Sequence, residues 1–116
     1  MTEKDPELQR LLVVELRRHL EVLRGSPEDL ETCRRSVHAL KGSAGLAGER
    51  ELARVLERAE RLLRANDVSA VETAAHVVTL AIDRIVRGEP AVTVQWPEPD
   101  DDLVGAVRDE GASAQY

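Results

Sequence analysis

The stretch HALKGSAG, His38 to Gly45, brings together residue types that could do chemistry in concert. An imidazole with an ordinary pKa near 6.5 offers a neutral, nucleophilic nitrogen at neutral pH. A lysine follows three residues later, and glycines four and seven residues later. Each glycine inside a helix costs about 1 kcal/mol relative to alanine, so two of them on one helix call for a reason. At about 100° per residue, the apolar stripe Leu30, Cys33, Val37, Leu40 and Ala44 gathers on one side of a helix. His38 then lies roughly 130° from the centre of that stripe, facing solvent. Glu31, Arg34, Arg35, Lys41, Gly42 and Gly45 share its side. Bare backbone beside the ring would let another protein approach closely. Arg34 and Lys41 would partly neutralise an anion arriving at His38. Periodicity alone leaves a second reading open, in which the face is merely solvated and the glycines serve helix packing.

The elements that must hold this face read as four amphipathic helices. Leu8, Leu12, Leu16, Leu20 and Leu23 recur at helical spacing between Pro6 and Arg24, with Gly25 as the stop. Ser26-Pro27 followed by two acids predicts the start of a second helix that runs to Leu46. A third is expected from Gly48 to Ala65, burying Leu52, Val55, Leu56, Ala59, Leu62 and Leu63. Ser69 with Glu72 predicts a capping box for a fourth, with Val71, Ala75, Val78, Ile82 and Ile85 as its stripe and Gly88 and Pro90 as its end. Helices of similar length with short connections predict an all-α, antiparallel up-down four-helix bundle over residues 1–88. Residues 89–116 read as an acidic, Pro-rich tail or linker, in which 102–108 could form a short fifth helix weakened by Gly105. Trp96 in this tail could dock on the bundle or on a partner, or could equally be disordered.

Composition sets further bounds. The chain has 116 residues, no Phe, one Trp and one Tyr, so an aliphatic helical core suits it better than a sandwich or barrel. Residues 1–88 carry fifteen Lys and Arg against fifteen Asp and Glu, while 89–116 carry seven acids against Arg108. The net charge of −6 therefore belongs to the tail, and a neutral body argues against nucleic-acid binding. No apolar run is long enough to span a membrane and none follows Met1 as a leader would, so the expected location is cytoplasmic. The single Cys33 packs on an apolar stripe and suits a reducing compartment. His19 and His76 read as surface residues, and three separated histidines give no metal site.

The segment RRSVHALKGSAGLAG resembles the signature of histidine-containing phosphotransfer (HPt) domains, and the resemblance covers residues from about 7 to 88. That likeness implies that His38 is the phosphorylated residue, that Lys41 stabilises the phosphoryl oxygens, and that Gly42 and Gly45 open a docking surface. Arg34, Arg35 and Ser43 join that surface. In the branch found in chemotaxis-type histidine kinases, a glutamate 22 residues after the histidine holds its other ring nitrogen, a position occupied here by Glu60. A carboxylate accepting from Nδ1–H would leave Nε2 free to take the phosphoryl group. The aromatic residue common after the motif in that branch is replaced here by Leu46-Ala47 and Glu49. With no Gly-rich nucleotide loop or kinase motif, the chain is expected to act as a phosphoryl carrier without a cofactor of its own. The partners implied are a response-regulator receiver domain and a histidine kinase ATP-binding domain. A helical adaptor that binds receivers without being phosphorylated is the alternative.

Overall fold

The computed structural model describes residues 4–92, and all regular structure among them is helical. The four helices are α1 (Pro6–Gly25), α2 (Leu30–Leu46), α3 (Arg50–Arg64) and α4 (Ser69–Val86). They pack antiparallel as a bundle in which α2 touches α1 and α3, α4 touches the same two, and α1 lies diagonally across from α3. The acidic tail, Trp96 and the expected short helix at 102–108 fall outside the described residues.

Aspartates stand at the starts of α1, α2 and α4. The Asp5 carboxylate accepts from the Glu7 amide at 2.9 Å, with Pro6 in the first turn, where its missing N–H costs nothing. α2 begins later than Ser26-Pro27 suggested. The Ser26 carbonyl accepts from the Asp29 amide at 3.1 Å, which makes residues 26–29 a turn. Asp29 then caps the helix by accepting from the Thr32 amide at 3.1 Å and from its hydroxyl at 2.8 Å. The expected Ser69–Glu72 capping box is also displaced. The Asp67 carboxylate accepts from both the amide and the hydroxyl of Ser69, so Ser69 is already the first helical residue. Asn66 and Gly88 take positive φ, 64° and 80°, where the chain reverses after α3 and stops after α4.

The core is aliphatic. Leu12, Leu16, Leu20 and Leu23 from α1 meet Cys33, Val37, Leu40 and Ala44 from α2. Leu52, Leu56 and Leu63 of α3 and Val71, Val78 and Ile85 of α4 close the interior. The buried face of α4 is rotated from the expected stripe. Ala70, Ala74, Val77 and Ala81 are buried, while Ala75 and Ile82 lie at the edge of the core. The packed chain also extends beyond Gly88. Ala91 is buried and its amide donates to the Glu49 carboxylate at 3.2 Å.

Candidate functional site

The stripe that buries Val37, Leu40 and Ala44 fixes the rotation of α2, and His38 follows from it onto the outer face. Its side chain is 60% exposed. Gly42 and Gly45 are exposed on the same helix, and a Cβ built at either would meet nothing within 4 Å. Those glycines therefore do no packing work inside the bundle, which removes the helix-packing explanation for them. What they leave is an open strip of backbone next to the imidazole.

Glu60 approaches from α3. It sits three and four residues from Leu63 and Leu56 on the inward side of that helix, and its side chain is only 3% exposed. Oε2 lies 3.0 Å from His38 Nδ1. An ionised carboxylate can only accept, so in the neutral ring this contact favours the tautomer with the proton on Nδ1 and the lone pair on Nε2. A buried carboxylate needs compensating charge, and the site supplies it several times over. Lys41 Nζ reaches Oε1 at 2.9 Å and Arg64 Nη2 reaches Oε2 at 3.0 Å, while Arg34 Nη1 stands 3.5 Å from Oε2. Burial pushes the Glu60 carboxyl upward, but the hydrogen bonds from Lys41 and His38 outweigh it and hold it below the usual carboxylate range. The same contacts, from Glu60 first and Glu57 second, raise Lys41 above its ordinary value.

The structure thus brings His38, Lys41, Glu60 and Arg34 into one cluster. Lys41 is held by carboxylates, including Glu57 Oε1 at 3.0 Å. Arg34 lies bidentate on Glu31, with contacts of 3.2 and 2.8 Å. Arg35 is more exposed and stands 3.5 Å from Glu31. Ser43 faces a groove of about 230 Å³ between α1 and α2, lined also by Leu11, Leu12 and the outward-pointing Leu46. Sequence reasoning missed Glu57 and Arg64. Both were signalled by their spacing, three before and four after Glu60 on one helix.

His19 is not the surface residue expected. Its side chain is 14% exposed, wedged between α1 and α2 with Nδ1 3.0 Å from the Ser36 hydroxyl. His76 is exposed as expected. No group of His, Cys, Asp and Glu among the described residues could hold a metal ion, and no helix there is long and apolar enough to cross a membrane.

Comparison with curated proteins and with solved structures returned no match. A family model for the Hpt domain, by contrast, matches residues 7–88, which spans all four helices and the whole cluster around His38. The chain belongs to the Hpt domain family, and its function is histidine phosphotransfer in a phosphorelay.

Proposed function

We propose that His38 carries the phosphoryl group, on Nε2, and that Glu60 orients it. The observation that supports this reading is the pairing of an exposed imidazole with a buried carboxylate through Nδ1, at 3.0 Å. In the reaction, the Nε2 lone pair attacks phosphorus as the bond from phosphorus to the donor oxygen breaks and the donor keeps that electron pair. The proton stays on Nδ1, so the phosphorylated ring gains positive charge next to Glu60, which stabilises it. The return step reverses these bonds when an acceptor carboxylate attacks.

Lys41, with Arg34, offsets charge developing on the transferred oxygens. Its ammonium leaves Glu57 or shares itself between that carboxylate and the phosphoryl group. Gly42, Ser43 and Gly45 form the approach surface for a receiver domain, with Arg34 and Arg35 at its edge. Hpt domains generally exchange phosphoryl groups with receiver domains. The donor here is a receiver aspartate or a kinase ATP-binding domain, which brings the nucleotide and metal chemistry with it. The position of Glu60 supports a likeness to the chemotaxis-kinase branch, and a cytoplasmic location fits these partners.

The decisive experiment incubates the chain with a phosphorylated receiver domain, or with a kinase ATP-binding domain and labelled ATP. Acid-labile label on the wild-type chain and none on His38→Gln is the expected result. Label on His38→Gln removes the assignment. A receiver that binds without transferring label supports the adaptor reading instead.

A further inference from the structure

Glu60 has one feature that the pairing with His38 does not require. Its α2 partners are His38, Lys41 and Arg34, which all approach from across the helix interface. Arg64 is different, because it lies on α3 itself, one turn beyond Glu60, and reaches Oε2 with Nη2 at 3.0 Å. That oxygen is the one shared with Nδ1 of His38. A glutamate's terminal torsion is broad and is fixed by its partners rather than by a rotamer well. Glu followed by a cation four residues later is the favourable order along a helix.

We infer that Arg64 is a positioning residue for His38: by gripping Oε2 from within α3, it holds the Glu60 carboxylate turned toward the imidazole and so keeps His38 in its Nδ1–H form. This deepens the reading that His38 is the phosphorylated residue and rests on it. Two of the α2 partners have competing contacts. Lys41 is shared with Glu57, and Arg34 is committed to Glu31 through two bonds. Arg64 is 60% exposed, so its pull is screened and its effect is modest. An exposed pair of this kind corresponds to about a three- to fivefold change in rate.

The test uses the whole chain and phosphoramidate, a small donor that needs no partner protein. Its N–P bond breaks, ammonia leaves, and phosphorus bonds to Nε2. Labelling rate, ¹⁵N shifts of the His38 ring and thermal melting are measured for wild type, Arg64→Ala and Arg64→Lys. The expected result is an unchanged melting temperature with a reduced Nδ1–H signal and slower labelling in Arg64→Ala. Arg64→Lys recovers most of both, since an ammonium at that position still reaches the carboxylate. Wild-type ring shifts and rate in Arg64→Ala overturn the inference. Slower labelling with unchanged ring shifts overturns it too, because Arg64 would then act on the phosphoryl group directly. If wild type takes no label, the assignment of His38 fails while the ring shifts still decide the role of Arg64.

Discussion

His38 Nδ1 and Glu60 Oε2 stand 3.0 Å apart, 22 positions apart in sequence, one side chain largely in solvent and the other almost wholly removed from it. Burying the acceptor rather than the nucleophile makes the pair rigid on the side that needs no access. Hydrogen bonds to charged groups contribute about 1.5–3 kcal/mol. Glu60→Ala should therefore slow labelling of His38 by phosphoramidate about tenfold or more. Glu60→Gln keeps an oxygen acceptor but loses the charge, so its rate should fall between the two. Equal rates in all three proteins would show that the carboxylate does not orient the ring.

Gly42 separates stability from docking. A Cβ there meets nothing within 4 Å, so Gly42→Ala should raise stability by about 0.5–1 kcal/mol in urea unfolding. Gly42→Gln places a long side chain on the approach surface. It should slow transfer from a phosphorylated receiver while leaving phosphoramidate labelling, which needs no docking, at the wild-type rate. Unchanged transfer from the receiver would remove Gly42 from that surface.

The four helices and the outward turn of His38 were legible because both follow from apolar periodicity, which the core imposes directly. Glu60 is reached through resemblance, and its carboxylate lies 3.0 Å from His38 Nδ1. The sequence pattern places the cap of α2 three residues too early, at Ser26 instead of Asp29, and the cap of α4 one residue too late, at Ser69 instead of Val68. Ser and Asp compete for the same capping role, and only the backbone turn decides which carboxylate or hydroxyl faces the free amides. The burial of His19 was hidden because its partner Ser36 lies on another helix. Its surroundings in sequence, Arg17 and Arg18, are those of a surface residue.

His19 should make stability depend on pH. Burial holds its imidazole below the ordinary value, with Arg18 adding to the effect and Glu15 opposing it. A group with a lowered folded pKa binds protons more readily when the chain is unfolded. Its contribution is therefore complete above about pH 6.5 and is lost as pH falls through the folded value. Urea midpoints at pH 7.5 and 5.5 should show a larger acid loss in wild type than in His19→Gln. Parallel losses in both proteins would show that the ring titrates as if exposed.

Glu49 carries the last prediction. It is 4% exposed, at the turn between α2 and α3, and one carboxylate oxygen accepts from the Ala91 amide at 3.2 Å. The other lies 3.2 Å from Lys4 Nζ, so this carboxylate joins both ends of the described chain. Glu49→Ala leaves the Ala91 amide without its acceptor, and a buried donor left unpaired costs about 1–3 kcal/mol. The described residues after Gly88, 89–92, lie beside Lys4 and the turn between α2 and α3, so they can release rather than carry that cost. Hydrogen exchange at Ala91 should then accelerate strongly in Glu49→Ala, while amides in the middle of α2 exchange at wild-type rates. If the Ala91 amide stays protected, Glu49 is not what holds the chain beyond α4 in place. If α2 loosens along with it, the carboxylate supports the turn beside Gly45 and Leu46 as well, and receiver-driven labelling of His38 should fall with it.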